Sequence, residues 1–253
     1  MAAPRTPDGP PPAPVVQRLR IRYARRGRMR FTSTRDFARA LERALRRAGV
    51  PMAFSAGFHP HPRISYAGGA PTGMASEAEY LEIALAERCD PDEVRTALDA
   101  ALPAGLDIVE VVEAGARSLN ELLEASAWEI AFAELSPESL AAAVGELTDL
   151  PEALVTRMFK TGEKTFDVLP AVVAAEVGAG EGCAILHLVV RHTTPAVRPD
   201  DVLSALRQAT RFDAPSPPKV TRIAQGPWDA AAAHVADPLA ADANAAAAAG
   251  DAP

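Results

Sequence analysis

Within the first fifty residues the apolar period of this chain changes from two to about 3.6, and that change constrains the fold more than any other feature. In RLRIRYA, Leu19, Ile21 and Tyr23 alternate with Arg18, Arg20 and Arg22, the spacing of a strand with one buried face. In STRDFARALERALRRAG, Phe37, Leu41, Ala44, Leu45 and Ala48 fall on one helical stripe. Ser33 is placed as N-cap, with Asp36 three residues on, and Gly49 stops the helix. The opposite face bears Arg35, Arg39, Arg43, Arg46 and Arg47. Beyond the next loop, YLEIAL reads as a strand, DPDEVRTALDAAL as a helix opened by Asp90 and Pro91, and LDIVEVVEA as a strand. A strand at MAFSA, around residue 52, completes the order β-α-β-β-α-β, the ferredoxin-like motif.

The same order of elements recurs. WEIAFAEL reads as a strand and SPESLAAAVGEL as a capped helix. LVTRMFK and KTFDVLP form a hairpin turning at Thr161, Gly162 and Glu163. AILHLVVRH is a strand, RPDDVLSALRQA a helix with Pro199 near its start, and KVTRIAQ a last strand. The expected class is therefore α+β, with two tandem ferredoxin-like (βαββαβ) halves at residues 15–116 and 125–225. The Pro-rich residues 1–14 and the Ala/Asp-rich residues 226–253 lack an apolar face and are expected to be disordered.

Charge is distributed unevenly. Residues 15–63 hold thirteen arginines against Asp36 and Glu42, so a net charge of −7 divides into a basic front and an acidic remainder. Arginine outnumbers lysine 23 to 3 in an alanine-rich chain, a composition bias that makes the choice of arginine uninformative; its clustering is not. Two cysteines, Cys89 and Cys183, exclude a disulfide framework, a four-cysteine zinc site and a self-contained iron–sulfur cluster. Walker, dinucleotide-binding, nucleophile-elbow and His-Glu-x-x-His patterns are all absent. No run approaches the roughly 20 apolar residues of a membrane span, and the start has no apolar signal core. A cytoplasmic protein is expected.

The stretch SAGFHPHPRISYAGGAPTGMASEAEY, residues 55–80, admits three readings. His59 and His61 could meet one metal from an extended backbone, but zinc needs a third protein ligand, and Glu77, Glu79 and Cys89 stand at no recognised spacing. Gly68, Gly69 and Gly73 could let backbone N–H groups approach a phosphate, with Arg63 adding charge. Alternatively, His-Pro-His-Pro makes a stiff, partly buried crossover, because each residue before a proline is held extended.

The run RMRFTSTRDFARALERALRRAGVPMAFSAGFHPHPRISYAGGAPTGMASEAEYLEIAL resembles a radical-SAM-associated family of unknown function. That family occurs as stand-alone bacterial proteins or as the C-terminal part of cobalamin-binding radical SAM proteins. The resemblance spans residues 17 to about 115 and rests on Arg35, Arg43, Ser55, Gly57, Phe58, His61, Pro62, Gly73, Ser76 and Glu77 as a linked set. RMFKTGEKTFDVLPAV resembles the family's second signature and departs from it at Leu169, where an arginine is usual. The resemblance implies a partnership with radical SAM chemistry without a cofactor in this chain, since two cysteines cannot supply the three thiolates of the cluster.

The functional expectation is a non-catalytic accessory protein whose partners are a radical SAM protein and a structured RNA or other phosphate-bearing substrate, with no membrane. The expected contacting set is Arg18, Arg20, Arg22, Arg35, Arg39, Arg43, Ser55, Gly57, His59, His61, Arg63, Gly73, Ser76 and Glu77. No metal ligand is expected. Two alternatives stand beside it: an enzyme using His61 as general acid or base with Glu77 setting its protonation, and a pure docking module for a radical SAM enzyme.

Overall fold

The computed structural model describes residues 12–210 and 212–250. Among them the chain is mixed α+β, with a large mixed sheet and six α-helices. It divides into two compact units. One runs to Gly73 and adds Ala78–Glu121 and the chain from Leu239; the other holds Met74–Glu77 and Leu122–Pro238.

The first unit contains β1 (Gln17–Arg25), α1 (Thr34–Arg47), β2 (Ile64–Ala67), most of β3 (Ala75–Leu85), α2 (Pro91–Ala101), β4 (Leu106–Glu113) and most of the short α3 (Leu119–Leu122). Its strands lie in the order β4-β1-β3-β2, with β1–β4 and β2–β3 antiparallel. Alternation on β1 has the expected consequence: Leu19, Ile21 and Tyr23 are buried and meet Phe37, Leu41 and Leu45 of α1 and Leu81, Ile83 and Leu85 of β3. Tyr23 stacks on Phe37 at 4.5 Å between centroids. Ser33 caps α1 by accepting from the Asp36 N–H at 3.1 Å, and Asp90 caps α2 from its side chain. Gly49, at φ +69°, ends α1 in a conformation that favours glycine.

The expected strand at MAFSA is not formed. Only isolated bridges join Met52 to Leu85 and Phe54 to Pro62, and the second strand is Ile64–Ala67 instead. The reason is local: Pro51, Pro60 and Pro62 have no N–H for a ladder, so the segment folds back on itself. Arg63 donates its N–H to the Ala53 carbonyl at 2.9 Å, and Ser55 donates to the His61 carbonyl at 2.9 Å. The residues from Ala75 onward, read as loop, belong to β3.

The second unit contains β5 (Ala125–Ala133), α4 (Pro137–Thr148), β6 (Leu154–Phe159), β7 (Gly162–Asp167), β8 (Val172–Gly180), β9 (Cys183–Arg191), α5 (Pro199–Ala209) and β10 (Lys219–Gly226). Its strand order is β10-β5-β9-β8, and β6–β7 forms a separate two-stranded hairpin. β8 was not anticipated. Its sequence, VVAAEVGAG, has no alternation and is only half-buried along its length, so it carries neither the composition nor the period of a strand. Its last glycine is required by packing, since a Cβ at Gly180 would run into Cys183 and Ile185 of β9.

The expected disordered start lies outside the described residues as far as position 11. The tail from 226 differs from expectation. A short hairpin pairs β11 (Trp228–Asp229) with β12 (His234–Val235), turned by the Asp229 carboxylate accepting from the Ala231 and Ala232 N–H groups. Those two bonds hold the Asp229 carboxyl below its usual pKa. After the fully buried Leu239, α6 (Ala240–Gly250) follows as part of the first unit and lies against β4. Two buried apolar residues, Val235 and Leu239, thus order a segment whose composition reads as low complexity.

Candidate functional site

α1 presents its arginines as the period requires. Arg35, Arg39 and Arg43 are four residues apart, on one exposed stripe that runs on to Arg46 and Arg47. Arg39 approaches Asp36 at 4.0 Å, a fully surface pair, and Arg47 donates to the Ala101 carbonyl at 3.3 Å. Arg35, Arg43, Arg46 and Arg63 carry no ion pair among the described residues.

The stripe ends at a groove of about 240 Å³ between α1 and the Pro-rich loop, lined by Glu42, Leu45, Arg46, Gly49, Val50, Met52, Phe54 and Pro62. The loop stands out from the fold on a hydrogen-bonded neck, the Ser55 hydroxyl accepting from the His61 N–H at 3.0 Å. Gly57 sits in its tip at φ +129°, which a side chain would strain. Phe54 and Phe58 are 44% and 62% exposed, and His59, His61 and Arg63 face solvent. The crossover is therefore held at its neck but is not buried. Among the described residues no three His, Cys, Asp or Glu side chains are grouped to hold a metal.

The phosphate-cradle reading fails at the glycines. The Ala70 N–H donates to the Glu79 carboxylate at 3.2 Å, and buried Arg25 donates to the carbonyls of Ala70 at 3.2 Å and Arg30 at 3.0 Å. Gly73 donates its own N–H to the Arg30 carbonyl at 2.8 Å. An internal carboxylate already occupies the place an anion would take.

The arginines of β1 also depart from expectation. Arg18 is exposed and pairs with Glu82 at 3.1 Å, and Arg22 is half-buried. Arg20 is sealed: its side chain is 2% exposed, and it pairs with Glu82 at 3.3 Å and Asp242 at 2.6 Å. A guanidinium with two carboxylates in a dry setting is part of the fold, not an open contact for phosphate. Ser76 and Glu77 fall in the other unit, on β3. Ser76 is fully buried and accepts from the Arg222 Nε–H at 3.2 Å; Glu77 is half-buried.

Three side chains of this region stand outside the expected contacting set, Phe58 having entered only through the family resemblance. Phe54 and Phe58 are aromatics in a stretch with no apolar period, so no core claims them, and that was a readable signal. Tyr66 was not readable. It lies edge-on to Phe37, and burial together with the nearby Glu42 carboxylate pushes its phenol up to about 12.

The second unit has features of its own. Ser126, buried on β5, lies 2.7 Å from His192 Nε2, while His192 Nδ1 lies 2.7 Å from the Leu123 carbonyl. Loss of water around the ring holds this imidazole below its ordinary pKa. A groove of about 880 Å³ between α4 and the end of α5 is lined by a mixture of apolar and polar residues, Leu135, Phe212, Glu146 and Asp213 among them, and takes in none of the anticipated residues.

Residues 18–199, well over half of the chain, match the family model described as "Uncharacterized protein conserved in bacteria (DUF2344)". The chain belongs to that family. For this DUF2344 protein the matched span includes α1 and the exposed loop and stops at the first residue of α5, so α6 lies outside it. No curated protein matches. Among solved structures, an unknown protein from Galdieria sulphuraria is 14% identical over 76% of this chain and 91% of its own, with a TM-score of 0.24. The encapsulated DyP-type peroxidase from Mycobacterium smegmatis is 11% identical over 85% and 92%, with a TM-score of 0.20. Such scores carry no structural argument. Nothing in these comparisons links the family to radical SAM proteins. No helix among the described residues is long and apolar enough to cross a membrane.

Proposed function

We propose that this protein is a non-catalytic binding module that takes a phosphate-bearing ligand, structured RNA above all, on α1 and the loop at residues 53–63. The observation that carries the reading is the exposed arginine stripe whose one carboxylate partner among the described residues is Asp36, 4.0 Å from Arg39, running into a groove lined by the solvent-facing Phe54. Unpaired guanidinium groups attract phosphate through charge and release its counterions, whatever the sequence. Phe54 and Phe58 add faces on which unpaired bases can stack. Filter retention of total RNA at two salt concentrations tests the proposal: retention that falls steeply with salt is expected, and salt-insensitive or absent retention overturns it.

The architecture behind this reading is a pair of ferredoxin-like halves. Each unit orders its four main strands as fourth, first, third, second, and in the second unit β6–β7 is an insertion before β8. The accessory role beside a radical SAM protein rests on the sequence resemblance alone. For the acid–base alternative, His61 is exposed and Glu77 belongs to the other unit, so its support remains residue type only.

A further inference from the structure

The first unit has a second cavity, of about 400 Å³, beside β1 and β2 and the chain from Gly115 to Asn120. Its charged wall is Arg18, Arg20, Arg117 and Glu82. Arg20 is the buried member, and its donors reach Glu82, Asp242 and the carbonyls of Gly115 and Arg117. Asp242 is the farthest of these in sequence, 222 residues away. It sits in the first turn of α6, an alanine-rich helix without an apolar stripe, whose buried anchor is Leu239 immediately before it. The place it fills is shaped on both sides. A buried guanidinium faces one side, and on the other a Cβ at Gly115 would collide with the Asp242 carboxylate.

We propose that Arg20, Arg18 and the bare backbone of Gly115 form a binding site for a carboxylate-bearing small ligand. Asp242 is its built-in occupant, and α6 is a strap that must lift before the ligand enters. With Asp242 away, the wall keeps the guanidinium groups of Arg18, Arg20 and Arg117 against the one carboxylate of Glu82, and the group that fills the place beside Arg20 is itself a carboxylate. A phosphate dianion would meet Glu82, which stays within 3.3 Å of Arg20. Ser65 and Asn120 line the adjoining cavity and supply polar partners for the rest of the ligand. This site is separate from the α1 surface and does not depend on its role.

The test uses the full-length chain, wild type and Asp242→Asn, with hippurate as a monocarboxylate probe and inorganic phosphate as its contrast. The readout is the Arg20 Nε–H resonance in NMR titrations. Asp242→Asn is expected to show a saturable shift with hippurate at about tenfold lower concentration than wild type, and a weaker response to phosphate. Leu239→Ala loosens the strap while keeping the carboxylate, and is expected to fall between the two. No saturable shift in Asp242→Asn, equal titrations in variant and wild type, or phosphate binding as tightly as hippurate overturns the proposal. Should Asp242→Asn fail to fold, the Leu239→Ala titration decides: no gain over wild type overturns it.

Discussion

Arg20 on β1 and Arg43 on α1 are the same residue in the same basic stretch, yet their surroundings are opposite. Arg20 is enclosed by two carboxylates and two carbonyls; Arg43 points to water with no ion pair among the described residues. The difference teaches that positive charge in a sequence is not a measure of what is available to a partner. A strand inside a sheet has neighbours on both sides that can answer its charges, here Glu82 on β3 and Asp242 from α6. The outer stripe of α1 has only Asp36, 4.0 Å from Arg39 at the surface. The cationic surface that remains after this internal pairing is narrower than the sequence suggests, and it lies on α1 and the adjacent loop.

The largest expected effect breaks the buried side of the comparison. Arg20→Met leaves Asp242 without its cation and Glu82 with only the exposed Arg18, and urea denaturation should show a loss of about 3–5 kcal/mol. A loss under 1 kcal/mol would mean that Arg20 is solvated and that the contrast is false. Next in size, Phe54→Ala and Phe58→Ala sharpen the exposed side. If unpaired bases stack there, each substitution should weaken RNA binding by about 1–3 kcal/mol in fluorescence anisotropy, with unchanged thermal stability. Smaller still, Arg43→Ala should alter the urea midpoint by no more than about 0.5 kcal/mol in stability, as for any surface position without partners.

His192 extends the comparison to a base whose ring, on an exposed residue, is hydrogen-bonded to Ser126 and the Leu123 carbonyl and carries no ion pair among the described residues. Its pKa is lowered by desolvation from an ordinary 6.5, so the unfolded chain binds the extra proton first as pH falls. Its stabilising contribution is complete above pH 6.5 and declines as pH drops toward and through the lowered folded value. Urea midpoints between pH 7 and 5 should therefore fall more steeply in wild type than in His192→Gln. Parallel profiles would show that His192 is not the group responsible.

Much of the first unit could be read from its residues because there the local signals agree. Period-two alternation on β1, the stripe and caps of α1, and Asp90-Pro91 at the start of α2 all specify the elements that form. The second strand was misplaced because MAFSA has strand composition, whereas three nearby prolines remove the donors a strand needs. β8 escaped notice for the opposite reason: its valines, alanines and glycines form a strand through pairing with β9, with little help from their own propensity. The exposed loop stood out in the sequence by its His-Pro-His-Pro run and its glycines. The fate of Arg20 was not visible, since its partner lies 222 residues away in a segment that reads as low complexity.

The most direct measurement is the salt dependence of structured-RNA affinity for the wild-type chain and for the triple variant Arg35→Ala, Arg39→Ala, Arg43→Ala. The expected result is a steep wild-type slope of log affinity against log salt that becomes shallower by roughly 0.7–0.9 for each arginine removed. An unchanged slope in the triple variant, or no salt-sensitive binding in the wild type, would contradict the assignment of α1 as the phosphate-facing surface.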